Sequence, residues 1–282
     1  MICICDSGSS KALWGFIENT NAPRYIYSAG INPATMSEDE IHTSIQSAMD
    51  EFSDCYQHVH EVCFYGAGCS TTAAKSKVEN ALKKIFCKSC ISVQSDLLGA
   101  ARSLFGNQKG IACILGTGSN SCLYDGKDIT ENVPSLGYIL GDEGSGTAIG
   151  KKLLSDYLRG LMPADIQIAF EEYTPDRYAD IIDNVYNNSI PNRYIASFAK
   201  FAAKFKHHKY IQNTLRVMFE QFISTHVLRY SMYNALPVRF TGSVAYHFQD
   251  ILRETAKNYE LNVDLITEHP MPGLIKYHGK SE

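Results

Sequence analysis

Two glycine- and hydroxyl-rich turns, each lying between two short apolar runs, constrain this chain more than any other feature. Residues 6–11 read DSGSSK and residues 116–121 read GTGSNS. A strand, a flexible turn and a second strand form a hairpin. The backbone N–H groups at such a tip can bind an anion, and hydroxyl groups add further donors. Two such tips predict two lobes that close on one polyphosphate.

The order of the other patterns predicts an α/β fold, because strand-like runs alternate with helical segments through the first hundred residues. Ser37 and Glu40 form a capping box at the start of one predicted helix, and Ser95 is the predicted N-cap of another. The second half opens again with a strand, a glycine turn and a strand. We therefore predict an N-terminal lobe of residues 1–105 and a C-terminal lobe of residues 106–282, whose last residues can pack back on the first lobe.

Composition and charge exclude several classes of protein. A net charge of −4 over 282 residues gives no basic surface for a nucleic-acid partner. No uninterrupted apolar run approaches the roughly 20 residues that span a bilayer, so no membrane partner is expected. The first residues lack the basic segment of a signal peptide. Nine cysteines in such a chain predict reduced thiols and a cytoplasmic location.

Cys87 and Cys90 form a lone C-x-x-C pair. A structural zinc site takes four ligands, and no second pair of suitable spacing exists in the sequence. The pair is therefore interpreted as plain thiols, with an iron–sulfur cluster bridging two subunits as the alternative.

Four acidic residues, in three segments of the chain, accompany the two turns. Asp6 ends the first predicted strand, and a carboxylate beside a phosphate site needs a cation such as Mg²⁺ between them. Asp96 begins a predicted helix, where it could be a cap or could accept a proton from a phosphoryl acceptor. Residues 141–146 read GDEGSG, and three glycines in six residues indicate a special backbone geometry around two carboxylates.

Together these motifs resemble the BadF/BadG/BcrA/BcrD-type ATPase family, which includes N-acetylglucosamine kinases and belongs to the sugar kinase, chaperone ATPase and actin superfamily. The matching segments occur in the order of the family and cover nearly the whole chain. They are residues 6–11, 66–69 (GAGC), 95–100 (SDLLGA), 116–120, 141–146 and 241–245 (TGSVA).

The resemblance implies two ribonuclease-H-like lobes with a cleft between them, and ATP and Mg²⁺ as cofactors. Asp6 would hold the Mg²⁺ through water. The residues implied in nucleotide binding are Asp6, Gly8, Ser9, Ser10, Lys11, Gly116, Thr117, Gly118, Ser119, Ala196, Gly242, Ser243 and Ala245.

The resemblance also implies a small-molecule sugar as substrate, most simply N-acetylglucosamine phosphorylated at O6, with Asp96 as the base. The residues implied in sugar binding are Asn32, Asp96, Thr117, Ser135, Leu136 and Asp142. The helical spacing of Phe198, Phe201 and Phe205 is typical of a core face and could equally serve a homodimer interface.

One departure from the family pattern concerns the sugar. The family commonly has Gly-Trp-Gly before the acidic motif, whereas this chain has Ser135, Leu136 and Gly137. The loss of an aromatic surface makes N-acetylmuramate a rival substrate. Two further alternatives are an iron–sulfur activator ATPase of the same family and a non-catalytic regulator. The presence of Asp6, Asp96 and both turns disfavours the regulator.

Overall fold

Two five-stranded sheets organise the chain, one in each of two units. The computed structural model describes residues 1–8, 11–18, 22–52 and 54–279. The first unit comprises Met1–Gln108, Gly126–Asp128 and His269–Glu282, and the second comprises Lys109–Asp125 and Ile129–Glu268.

The first sheet has the strand order β3-β2-β1-β4-β5. Its strands are β1 (Ile2–Ser7), β2 (Lys11–Ile17), β3 (Arg24–Ala29), β4 (Glu61–Gly66) and β5 (Cys90–Ser95). The first three strands form an antiparallel meander, and β4 and β5 extend the sheet in parallel with β1. Helices α1 (Glu38–Phe52), α2 (Thr72–Ile85) and α3 (Asp96–Phe105) connect the strands, with a short 3-10 helix at Asp54–His58.

The second sheet repeats this topology, in the order β8-β7-β6-β9-β10. Its strands are β6 (Gly110–Leu115), β7 (Ser119–Tyr124), β8 (Ile129–Glu131), β9 (Val238–Thr241) and β10 (Ile266–Thr267). Strands β6, β7 and β8 form the antiparallel meander, and β9 and β10 run parallel to β6. The predicted two-lobed α/β fold is thereby confirmed.

Most of the second unit is helical. Its helices are α4 (Gly137–Leu140), α5 (Gly146–Leu158), α6 (Ala164–Tyr173), α7 (Tyr178–Tyr186), α8 (Pro191–Ser197), α9 (Ala199–Lys204), α10 (Lys209–Thr225), α11 (Ser243–His247) and α12 (Gln249–Lys257), with a 3-10 helix at Val227–Arg229. Phe198 and Phe201 are buried, and Phe198 stacks on Phe170 while Phe201 meets that ring edge to face, so both belong to the core. Burial of each such ring contributes about 2 kcal/mol or more.

A final helix, α13 (Met271–His278), belongs to the first unit. Side chains alternate along β1, so Cys3 and Cys5 face the core under α1 and α2. Ile4 lies on the opposite face, where it packs with Met271 and Leu274 of α13. Strand β1 is therefore buried on both faces, as expected for the centre of a sheet flanked by helices.

Other expectations concern thiols and membranes. Of the cysteines whose side chains the structure describes, eight are free thiols, and Cys87 and Cys90 are among them. Within the part of the chain that the structure describes, no helix has the length and apolar character required to cross a membrane.

Candidate functional site

Three parallel strands of the first unit end side by side. In the register of β1, β4 and β5, Ser7 lies opposite Gly66, and Gly66 lies opposite Ser95. The carboxyl ends of parallel strands in α/β sheets are the usual location of ligand sites. This register brings Asp6, at the end of β1, and Asp96, directly after β5, to the same edge of the sheet.

Asp96 is the first residue of α3 and is half-buried. Its Oδ1 accepts a hydrogen bond of 2.9 Å from the Leu97 N–H, and Ser95 Oγ caps the helix by accepting the Leu98 N–H at 3.2 Å. Burial raises the pKa of Asp96, although the backbone N–H groups partly oppose that shift. A carboxylate held in this way is a stronger proton acceptor than an exposed one.

The negative charge of Asp96 affects the pKa of Asp6. Burial, and after it the negative charge of Asp96, raise the pKa of Asp6 to about 7. Two half-buried carboxylates so close together repel each other when both are ionised. A cation at this edge would relieve the repulsion, so the pair fits a divalent metal ion.

Asn32 is brought to this edge by a loop that is tied to β1. Ser7 Oγ accepts a hydrogen bond of 2.9 Å from the Ile31 N–H, and Asn32 Oδ1 accepts one of 3.0 Å from the Ala34 N–H. Gly68 has a φ of +79°, and a Cβ at this position would collide with Asn32 Oδ1. The glycine of the GAGC segment therefore leaves room for the Asn32 carboxamide.

The first hairpin tip is described in part. Gly8 donates its N–H to the Lys11 carbonyl at 3.0 Å, which closes the turn. The Lys11 ammonium lies over the Tyr27 ring, 3.7 Å from its centre. Ser9 and Ser10, which are predicted to bind phosphate, lie outside the described residues.

The second tip is anchored by the first turn of α5. Gly116 donates its N–H to the Gly118 carbonyl at 2.9 Å, and Gly146 and Thr147 donate theirs to the carbonyls of Gly116 and Thr117 at 2.8 and 3.1 Å. These N–H groups of the helix N-terminus therefore fix the position of the turn.

Asp142 links this tip to the loop before α4. The Asp142 side chain is buried, and its Oδ1 accepts the Ser119 N–H at 3.1 Å, while its own N–H donates to the Ser135 carbonyl at 3.1 Å. Burial raises the pKa of Asp142. Asp142 and Leu136 have φ values of 58° and 60°, an uncommon backbone conformation for non-glycine residues. The structure thus gathers the predicted sugar-binding residues 135, 136 and 142 beside the second turn.

The remaining predicted residues of the second unit lie around the same turn. Gly242 has a φ of +114°, and a Cβ there would collide with the carbonyl oxygen of Leu115, the residue before the turn. Ser243 begins α11, and Ala245 is buried within it. The Ala196 side chain lies beside Gly146, which donates to Gly116.

Sequence reasoning missed a buried hydrogen-bonded chain behind Glu143. His226 Nε2 lies 3.4 Å from Glu143 Oε2, and His226 Nδ1 lies 3.3 Å from Ser121 Oγ. Ser121 Oγ lies 2.7 Å from the Tyr230 hydroxyl, which accepts the Val133 N–H at 3.2 Å. Burial lowers the pKa of His226, which favours the neutral ring, although the contact with Glu143 partly opposes this shift. No local pattern signals the chain, because its members lie far apart in sequence.

Ser119, at the start of β7, also differs from an ordinary strand residue. Its hydroxyl is buried and has no hydrogen-bond partner in the described part of the protein. Buried hydroxyl groups nearly always have partners, so an orphaned one at a predicted phosphate turn fits a site for an anionic ligand.

Two solved structures resemble this chain over nearly its whole length. No family model matches it. A Porphyromonas gingivalis protein provisionally described as an N-acetylglucosamine kinase is 40% identical, with a TM-score of 0.95 over 99% of this chain and 98% of that one. A Chromobacterium violaceum protein with the same provisional description has a TM-score of 0.74 at 16% identity over 98% of each chain, which shows a shared fold.

One match is to a curated protein, the N-acetylmuramic acid/N-acetylglucosamine kinase of Clostridium acetobutylicum. The two are 24% identical over 179 residues, which are 61% of this chain. The match spans 58% of the length of that relative.

Proposed function

The chain belongs to the N-acetylglucosamine kinase-like family of the sugar kinase, chaperone ATPase and actin superfamily, and from this premise we propose that it phosphorylates an N-acetylated amino sugar, N-acetylglucosamine at O6, with ATP. In this reaction the sugar O6–H gives its proton to a base. A bond forms between O6 and the γ-phosphorus while the bond between that phosphorus and the β,γ-bridging oxygen breaks, and ADP leaves.

The observation that carries this proposal is the pairing of Asp96 with Asp6 at the carboxyl edge of β1, β4 and β5. Asp96 is the base that accepts the O6 proton, because α3 holds its carboxylate in place and burial raises its pKa. Asp6 would hold Mg²⁺, and the ion would neutralise part of the negative charge of the phosphates. ATP, when bound, supplies the γ-phosphoryl group.

The other proposed roles divide between orientation of the sugar and binding of phosphate. Asn32 and Asp142 are fixed by backbone hydrogen bonds, so they can hold sugar hydroxyl groups with little loss of side-chain entropy. Lys11 supplies positive charge for phosphate. The 116–118 turn and the orphaned Ser119 hydroxyl bind phosphate oxygens, and Ala196, Gly242, Ser243 and Ala245 contact the adenosine.

A kinase assay on a panel of sugars tests the proposal. We expect ADP release that depends on N-acetylglucosamine and Mg²⁺, and phosphorus-coupled NMR of the product should place the phosphate on C6. The panel includes N-acetylmuramate, N-acetylmannosamine and glucose. ATP turnover that no sugar stimulates would overturn the proposal.

N-acetylmuramate is the second candidate substrate, and the exposed leucine at position 136 favours it. The Leu136 side chain is 63% exposed beside the loop that bonds to Asp142, where the family commonly has a tryptophan. A smaller side chain leaves room for the lactyl group that distinguishes this sugar. A kcat/KM for N-acetylmuramate equal to or above that for N-acetylglucosamine would establish it as a substrate.

A further inference from the structure

A cluster of metal-ligating side chains lies in the first unit, at the end of β4 opposite to the proposed kinase residues. It consists of Glu61, Cys63 and His278, and one ligand atom from each lies within 4.8 Å of the other two. Strand β4 runs from Glu61 to Gly66, which places about 16 Å between the two ends. The proposed phosphoryl transfer uses none of these residues.

The topology explains why the three side chains meet. Glu61 and Cys63 are two apart on β4, so they project from the same face of the sheet. Helix α13 packs on that face, where Met271 and Leu274 share a buried cluster with Cys63. His278 is the last residue of that helix. The packing of Met271 and Leu274 thus places the His278 imidazole beside β4.

From this geometry we propose that Glu61, Cys63 and His278 form a binding site for a zinc-type divalent cation, with a fourth position open to solvent or to a further ligand. The Cys63 Sγ lies 3.3 Å from Glu61 Oε1 and 3.5 Å from His278 Nδ1. Ligands of a tetrahedral zinc ion at its usual bond lengths are separated by about 3.5 Å, as calculated from those lengths. The donor set of one thiolate, one imidazole and one carboxylate suits zinc.

The surroundings of His278 orient it for this role. His278 Nε2 lies 2.8 Å from the Tyr65 hydroxyl, so the other ring nitrogen, Nδ1, faces Cys63. Arg102 donates to the same hydroxyl at 3.1 Å, which leaves the second lone pair of that oxygen for an Nε2–H. Metal-binding histidines usually donate their second ring N–H in this way, and the partner fixes the ring.

The test uses the full-length protein, stripped with a chelator and titrated with Co²⁺ and then Zn²⁺. We expect one equivalent of Co²⁺ per chain, a near-ultraviolet thiolate-to-cobalt charge-transfer band, and loss of that band when Zn²⁺ displaces the cobalt. Absence of the band in the wild-type protein overturns the proposal, since no thiolate then binds the metal. A band of equal intensity in Cys63→Ser overturns it as well, since the thiolate must then come from another cysteine.

Variants separate the site from a mere hydrogen-bonded cluster. His278→Gln should weaken Zn²⁺ binding at least about tenfold, whereas Cys87→Ser, at an exposed cysteine outside the cluster, should leave it unchanged. Because Cys63 is buried and its substitution can impair folding, the half-exposed Glu61 and His278 provide a second measurement. Zn²⁺ should raise the Tm of the wild-type protein and of Cys87→Ser but not that of His278→Gln or Glu61→Gln. Equal Tm shifts in all four proteins would overturn the site independently of any kinase activity.

Discussion

Asp6 and Asp96 come from different strand ends of one sheet, yet the charge of Asp96 adds to burial in raising the pKa of Asp6 to about 7. Such a pair lowers the stability of the folded protein when no cation compensates the repulsion. Active sites commonly retain destabilising charges of this kind because function requires them.

Asp6→Asn should therefore stabilise the metal-free protein at pH 8. The ordinary pKa of this carboxyl is 3.8, so between about pH 4 and pH 7 the folded state binds a proton that the unfolded state has released. Stability of the wild-type protein then falls as pH rises through this range, and the loss is complete above pH 7. Asparagine cannot ionise, so we expect a gain of about 2 kcal/mol at pH 8 that disappears near pH 4. Urea unfolding at several pH values measures it, and a constant difference across pH would contradict the assignment.

Asp96→Asn should lower kcat for sugar phosphorylation by about 10² to 10⁴-fold, because the variant removes the proton acceptor. The KM for ATP should change little. Asp39→Asn is the matched control, since the Asp39 side chain is 95% exposed on α1. Steady-state assays of ADP release measure both variants, and a kcat for Asp96→Asn within about threefold of wild type would contradict the role of Asp96 as base.

Gly68→Ala should raise the KM for the sugar and leave the KM for ATP unchanged. The new methyl group would displace the Asn32 carboxamide, which lies against Gly68. Gly106→Ala is the control, because Gly106 also has a positive φ, 59°, but nothing lies within 4 Å of an added Cβ. Both substitutions add a methyl group at a residue with a positive φ, and only the first disturbs Asn32. A similar KM for the sugar in the two variants would show that Asn32 does not contact it.

Tyr230→Phe should destabilise the second unit by about 1–3 kcal/mol, because Ser121 Oγ and the Val133 N–H both lose a buried partner. Tyr178→Phe, at a side chain that is 66% exposed, should change stability by less than about 0.5 kcal/mol. Denaturant unfolding of the two variants provides the comparison. Equal stabilities would mean that water replaces the lost hydroxyl.

The sequence predicted features that are encoded locally. The capping box of α1 is present, with the Ser37 N–H donating to Glu40 Oε2 at 2.7 Å and the Glu40 N–H donating to Ser37 Oγ at 3.2 Å. Asp96 begins α3 behind its Ser95 cap, as predicted. Each of these features depends on neighbours within a few residues, so local pattern suffices to find it.

Other features arise from contacts between residues far apart in sequence, which no local pattern encodes. The approach of Gly68 to Asn32 and the contact of His226 with Glu143 are of this kind. Helix α13 was not predicted either. It is short, and its main role is to cover one face of β1 with Met271 and Leu274. Strand β10 has two residues, too few for an alternating pattern.

The register that aligns Ser7, Gly66 and Ser95 also limits how this protein can diverge. A one-residue deletion within β4 would turn every later side chain of that strand to the opposite face. It would also shift Gly66 out of alignment with Ser7 and Ser95. Substitutions in β4 alter one contact at a time and can accumulate across lineages. Selection should remove changes in the length of β4, so homologous proteins should gain and lose residues in their loops and never inside this strand.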